Sequence, residues 1–240
     1  MIFAEARISS GTLPATLPHA VLQLADQVGP RAAAFDADGV LWHGDVSEDF
    51  TQWMIDQGHF DAKLWPSYEA VNEQDKTAGC LEILKFYRGH SMATLQQQVA
   101  EFWASGAPRK WIEAPTAAMR WLVDQGFSVF VVSGTPRVVL EPLTAHLPVP
   151  GANILGLDLA VDATGRATGE PMGVPTCGPG KAERLRLVCS DPILMAAGNS
   201  VLDIEMLQLS NQVRWVIDPD EQLREHAEQA NWLIWSSPHA

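Results

Sequence analysis

In RAAAFDADGVLW, residues 31–42, a run of small apolar residues leads straight into Asp36 and Asp38, with Gly39 directly behind them. The run reads as a short buried strand that leaves into a loop at the aspartates. Asp is depleted in strand interiors, and a buried carboxylate without a partner is strongly unfavourable. Two readings compete: a polar turn closed by Gly39, or a metal and phosphate site at the carboxyl edge of a sheet. The rest of the chain decides between them.

The chain has 240 residues, 47% of them hydrophobic and 19% charged, which describes a globular protein with a full core and room for a smaller second domain. Its formal net charge of −13 argues against a nucleic-acid or acidic-membrane partner, because binding phosphates in bulk needs clustered Lys and Arg. A small phosphorylated ligand needs only a local positive site and stays open. Cys80, Cys177 and Cys189 are odd in number and lack metal-ligand spacing, so no disulfide framework is expected. The start, MIFAEARISSG, lacks a signal peptide's basic and apolar regions, and no apolar run is long enough to span a membrane. A cytoplasmic location is the resulting expectation.

Residues 1–18 resist assignment, since Gly11, Pro14 and Pro18 break any pattern, and HAVLQLADQVG (19–29) predicts a short helix. From 45 to 113 the character becomes helical. DVSEDFTQWMIDQG, TAGCLEILKFYRG and TLQQQVAEFWASG carry apolar residues at helical spacing and end in a glycine suited to close a helix. Ser47, with Asp45 and Asp49 nearby, supplies capping chemistry for the first. Beyond this block, helix and strand signals alternate from TAAMRWLVDQG and FSVFVVSG through KAERLRLVC and PILMAAGN to the final WLIW. Strands of continuous apolar character between helices predict an α/β fold, a parallel sheet covered on both faces. The helical block is then an insertion after the first strand. Ligands of such sheets sit outside the carboxyl ends of the strands, where DAD falls.

Three further segments stand at strand ends or helix starts. VVSGTPR (131–137) places Ser133 and Gly134 in a turn before a helix, GPGKAERL (178–185) starts a helix with Lys181, and AAGNSVLDIEML (196–207) brings Asn199 and then Asp203. Singly, each has an ordinary structural explanation as a cap or a solvated charge. In this order and placement they make a complete site.

With these residues the chain resembles the haloacid dehalogenase-like hydrolase superfamily, whose four motifs match DADGV, VVSGT, Lys181 and GNSVLD. The helical insertion, and the hairpin ILGLDLAVDATGRATGEPMG before the lysine, resemble the phosphoserine-phosphatase-like branch. The resemblance implies a Rossmann-like core over 1–44 and 114–240 with an all-helical cap over 45–113. It also implies a Mg²⁺-dependent phosphomonoesterase of a small phosphorylated metabolite, acting through an aspartyl-phosphate on Asp36.

In that chemistry Asp38 is the general acid/base. Lys181 neutralises the phosphate and Asp36, while Ser133 and the Gly134 N–H hold phosphate oxygens. Mg²⁺ favours oxygen ligands, for which the resemblance offers Asp36, the Asp38 carbonyl and Asn199, with Asp203 orienting a metal-bound water. Asn199 stands where the family commonly has an aspartate and removes one ligand charge. Asp38 favours a phosphatase over the dehalogenase members, which lack it. Val40, in place of the usual Thr, resembles the sugar-phosphate mutases, so a mutase or phosphotransferase is the second reading. A phospho-ligand-binding protein of low turnover is the third. Asp45 lies where phosphoserine phosphatases carry a glutamate that recognises the substrate amine, with Trp42 and Trp53 placed to add cation–π contacts. The other aromatics of the block are expected to be mainly core. His43, Lys85 and Arg88 are further possible substrate contacts.

Overall fold

The structure is a computed structural model that describes residues 17–106 and 110–237; most of the unassigned 1–18 segment therefore lies outside the described residues. The elements follow as α1 (His19–Leu22), β1 (Ala32–Phe35), α2 (Val46–Asp56), α3 (Trp65–Gln74), α4 (Lys76–Glu82) and α5 (Met92–Ala104). Next come α6 (Glu113–Asp124), β2 (Ser128–Pro136), α7 (Arg137–Leu140), β3 (Ile154–Leu157), β4 (Leu159–Val161) and β5 (Ala167–Pro171). The chain closes with α8 (Pro179–Val188), β6 (Ile193–Gly198), α9 (Ile204–Leu207), β7 (Val213–Ile217), α10 (Glu221–Gln229) and β8 (Leu233–Trp235).

Six strands form a parallel sheet in the order β3-β2-β1-β6-β7-β8. Every residue of β1 and of β6 is buried, which is why neither alternates apolar with polar. Ala33 and Phe35 pack on one face with Met119 and Leu122 of α6. Ala32 and Ala34 pack on the other with Leu185 of α8 and Met206 of α9. The sheet is thus the α/β, Rossmann-like layer that the alternating pattern predicts. β4 and β5 pair separately as the antiparallel hairpin read from the sequence.

Strand order reverses direction at β1: the chain next builds β2 and β3 on one side and later β6, β7 and β8 on the other. This leaves a crevice beyond the carboxyl end of β1. The helices α2 to α5 occupy the interval between β1 and α6, with no strand among them. Their aromatics interlock, Phe50 lying against Trp53, Phe60, Tyr87 and Phe102 at ring separations of 5.4–6.2 Å. The segments that leave and re-enter the sheet layer pair with each other, His43 N donating to Lys110 O and Ile112 N to Leu41 O, both at 2.9 Å. Gly58, Gly89 and Gly106, placed by the sequence at the ends of helical segments, all adopt positive φ. Asp45, rather than Ser47, caps α2: its carboxylate accepts from the backbone N–H of Ser47 and Glu48 at 2.8 and 3.0 Å. Among the described residues, no helix is long and apolar enough to cross a membrane.

Candidate active site

Asp36 leaves the end of β1 with its N–H still bonded to Ala197 O at 2.9 Å, so the sheet ladder fixes its backbone one residue past the strand. Its Oδ1 accepts from Lys181 Nζ at 2.7 Å, and its Oδ2 has no partner among the described residues. Lys181 sits in the first turn of α8 and also donates to Asp203 Oδ1 at 2.6 Å. Asp203 is fully buried, and its Oδ2 accepts from the N–H groups of Asn199 and Ser200, each at 3.0 Å. A rigid order results: the turn after β6 fixes Asp203, Asp203 fixes Lys181, and Lys181 fixes one oxygen of Asp36.

Burial, followed by the charge of Asp203, pushes the Asp36 carboxyl well above the usual range; Lys181 pulls it back and Asp38 pushes it further up. Burial works against the Lys181 ammonium, but Asp203 and Asp36 outweigh it and hold the group above the ordinary lysine value. Lys181 therefore stays protonated in a site with an excess of negative charge.

Asp38 is held by four donors. Its Oδ1 accepts from Trp42 Nε1 at 2.8 Å and Val46 N at 2.7 Å; its Oδ2 accepts from Thr135 Oγ1 at 2.7 Å and Ser133 Oγ at 3.3 Å. One carboxylate thus joins the first residue of α2 to the end of β2. Ser133–Thr135 lies where the β2–β3 register shifts, between Val132 and Pro136, so these residues leave the regular ladder. Gly39 has φ +71°, and a β-carbon there would stand 1.9 Å from Asn199 Nδ2. Only glycine allows the Asn199 side chain to reach the turn that follows Asp38.

These residues open into a cleft of about 510 Å³, walled on its far side by Asp45, Glu48, Tyr68, Asn72, Lys76 and Cys80 of the helical insertion. Tyr68 Oη donates to Glu48 Oε1 at 2.6 Å, and burial together with that bond raises the phenol above its usual pKa. The Asp45 carboxyl is pushed well up by burial and by the charges of Asp38 and Glu48. Neither Asp45 nor Glu48 pairs with a cationic side chain among the described residues.

Residues 33–208 match the haloacid dehalogenase-like hydrolase family. The chain belongs to that family. This hydrolase is 28% identical over 220 residues to a histidinol-phosphatase of Neisseria meningitidis serogroup C (strain 8013), covering 84% of this chain and 96% of that one. It is 26% identical over 218 residues to a phosphoserine phosphatase of Mycobacterium tuberculosis, covering 85% of this chain and 70% of that one. The fold is shared with a Bordetella pertussis Tohama I protein of unknown function, at TM-score 0.74 and 18% identity over 86% of this chain and 98% of that one. It is also shared with a substrate-bound phosphoserine phosphatase, at TM-score 0.61 and 16% identity over 87% and 93%. The enzyme is a phosphatase of the haloacid dehalogenase-like family.

The structure brings Asp36, Asp38, Ser133, Gly134, Lys181, Asn199 and Asp45 to this one cleft. It places three of the expected site residues off the lining of the cleft. Trp42 is buried against Trp103 and Trp111, gives its indole N–H to Asp38 and does not line the cleft. Trp53 lies against Phe50 and Phe102 and does not line the cleft, because its helix turns it into the aromatic core. Asp203, expected to orient a metal-bound water, accepts from protein donors through both oxygens, does not line the cleft and holds Lys181. Lys85 and Arg88 are engaged with Glu82 and with the hairpin's Thr168 carbonyl. Sequence reasoning missed Thr135, Glu48 and Tyr68. Thr135 stood within the recognised VVSGT stretch, whereas Glu48 and Tyr68 meet only through a hydrogen bond between α2 and α3, 20 positions apart.

Proposed function

We propose that this phosphatase hydrolyses a small phosphomonoester bearing a cationic amine, with Asp36 as nucleophile and Mg²⁺ as cofactor. The observation that carries the nucleophile is the asymmetry of Asp36, one oxygen tied to Lys181 and the other unpartnered in a residue that lines the cleft. Attack of that oxygen on phosphorus displaces the substrate alcohol and leaves an aspartyl-phosphate, which water then cleaves. Lys181 balances charge on Asp36 and the transferring group. Asp38 serves as the proton carrier, giving a proton to the departing alcohol and taking one from water. Its bonds to Trp42, Val46, Ser133 and Thr135 tie that role to the seating of the helical insertion. That insertion, residues 45–113, acts as a cap on the core formed by 1–44 and 114–240, and the paired segments at Trp42 and Trp111 are its hinge. Ser133 and Gly134 contact phosphate oxygens.

The charge balance supports a metal. Asp36, Asp38, Asp45 and Glu48 line the cleft, against Lys76 and Lys181. Lys181 is spent on two buried carboxylates and Lys76 on Asp220. A phosphate dianion needs a further cation to enter such a site. Among the described residues no three His, Cys, Asp or Glu side chains are grouped to hold a metal. The free Asp36 oxygen, the Asp38 carbonyl and the Asn199 amide are nevertheless hard oxygens that suit Mg²⁺, which takes few protein carboxylates and completes its shell with water and substrate phosphate. Bound there, Mg²⁺ would neutralise phosphate charge and favour ionised Asp36.

Asp45 and Glu48 supply the amine preference: each keeps one oxygen free of protein donors, and their mutual repulsion calls for a cation. The esters in the names of the two relatives, histidinol phosphate and phosphoserine, both carry an ammonium group. Lys85 and Arg88 do not line the cleft, and among the described residues both cationic side chains that do are paired, which favours amino-alcohol phosphates without a carboxylate. The test compares kcat/KM for histidinol phosphate, phosphoethanolamine, phosphoserine and glycerol phosphate, in the wild type and in Asp45→Asn. The amines without a carboxylate should lead, and Asp45→Asn should reduce their advantage roughly 10- to 100-fold, the worth of one charge-assisted hydrogen bond. Equal rates on glycerol phosphate would refute the amine reading. Isomerised ester without free phosphate would favour the mutase reading.

A further inference from the structure

Cys80 and Cys177 lie 97 positions apart in sequence and stand together beside the phosphate-binding turn. Cys80 belongs to α4 in the helical insertion, and Cys177 to the loop between β5 and α8 in the core. Their sulfur atoms lie 3.0 and 3.6 Å from the point where a β-carbon on Gly134 would stand. The absent side chain at 134 is what admits both sulfurs to one space. Cys80 lines the cleft, so a small oxidant that enters with the substrate's access route meets it first. Cys177 is 4% exposed and lies behind it. Neither sulfur takes part in the phosphoryl chemistry assigned above.

We propose that Cys80 and Cys177 are a redox modification site at which a hydroperoxide joins the helical insertion to the core through a disulfide and switches the phosphatase off. The Cys80 thiolate attacks the peroxide, breaking its O–O bond; with one proton taken up, this leaves a sulfenic acid on Cys80 and releases water from hydrogen peroxide. The Cys177 sulfur then attacks that sulfenic sulfur, its proton leaves with the hydroxyl as a second water, and the S–S bond forms. Two electrons pass from the thiols to the peroxide. A dithiol reductant reverses the change by exchange.

Access assigns the order of the two cysteines, because Cys80 lines the cleft and Cys177 is buried away from it, and the electrostatics point the same way. The Cys177 thiol interacts with the Cys80 sulfur and lowers its pKa; burial and the charges of Asp38 and Asp203 oppose this, and the nearby Lys181 ammonium assists. Cys177 is shifted the other way, chiefly by that same interaction and by burial. Reactive cysteines are those with thiolate character and access. Cys189 provides an internal contrast: it stands at the end of α8, and burial raises its thiol. The disulfide would fasten α4 against Ser133–Gly134 and replace two thiols with a fixed bridge over the phosphate turn.

The experiment treats the full-length protein with hydrogen peroxide at low molar excess, then alkylates free thiols and maps peptides without reduction. A Cys80–Cys177 peptide should appear as Cys189 stays alkylated, phosphatase activity should fall at least about tenfold, and dithiothreitol should restore it. Cys80→Ser and Cys177→Ser, each compared with its own untreated rate, should lose the dithiol-reversible component. The mapping needs only the wild type, so a variant that folds poorly leaves the proposal open to refutation. Reduced Cys80 and Cys177 after inactivation, Cys80 carried on to a sulfinic acid without a bridge, or a bridge with undiminished activity would each overturn it.

Discussion

Asp203 is the residue on which the buried charge network rests, and Asp203→Asn tests it. The carboxylate accepts from Lys181 through one oxygen and from the N–H groups of Asn199 and Ser200 through the other. An amide of the same shape has one acceptor oxygen and one NH₂ donor. It can serve either Lys181 or the turn, and its NH₂ then faces donors at the other place. Breaking a buried ion pair from one side costs roughly 3–5 kcal/mol. Lys181 retains Asp36 as a second partner, so the lower end applies, about 3 kcal/mol. For a chain of 240 residues, where each kcal/mol moves Tm by roughly 2–4 °C, the expected fall is about 6–12 °C. A displaced Lys181 should also reduce kcat on an aryl phosphate by about 100-fold, the usual consequence of a misplaced catalytic group. Asp36→Asn is the contrast. Burial and the charges of Asp203 and Asp38 already disfavour the ionised Asp36, and an amide oxygen still accepts from Lys181. That variant should lose all turnover while keeping its Tm within about 3 °C of the wild type. Thermal unfolding followed by circular dichroism, with phosphate release measured on the same samples, separates the two. An Asp203→Asn midpoint within about 2 °C of wild type, or an equal loss in Asp36→Asn, would refute the network's assigned order.

Two further outcomes follow from single contacts. On the proposed set of Mg²⁺ ligands, Asn199→Asp adds one ligand charge, so half-activation should need less Mg²⁺ than in the wild type; identical titration curves would remove Asn199 from that set. Lys76 and Asp220 join the insertion to the start of α10 at 2.9 Å. Partial burial raises the Asp220 carboxyl, but Lys76 and the N–H groups of Leu223 and Val201 outweigh it and hold it below the usual value. A depressed carboxylate stabilises the fold fully above its unfolded pKa and loses that contribution as pH falls through its folded one. Lys76 is half exposed, so Lys76→Ala should lower stability at neutral pH by only about 0.5 kcal/mol. The difference from wild type should shrink below the ordinary carboxylate range, and denaturant titrations at pH 7 and pH 3 check it; a gap that widens in acid would contradict the pairing.

Much of the core was legible because its signals are local. The AAAF run before DAD reads as a strand buried on both faces, and the carboxylates behind it can only stand at a strand end. The alternation of helix and strand after residue 113 predicts the parallel sheet, and the motif order puts Asp36, Ser133 and Asn199 at neighbouring strand ends and Lys181 at the start of α8. The direction of a side chain and its distant partner are decided elsewhere. Trp42 sits beside the first motif in sequence, yet packing with Trp103 and Trp111 turns its indole N–H to Asp38. Asp203 has the spacing of a site residue, but the turn after β6 closes its oxygens on protein donors. Glu48 of α2 and Tyr68 of α3 reach one wall of the cleft only because the fold brings two separate helices together there. The proximity of Cys80 and Cys177 has no trace in their spacing at all. Periodicity and turn chemistry act over a few residues and fix elements and strand ends, whereas packing between elements far apart in the chain fixes where each charge and sulfur finally points.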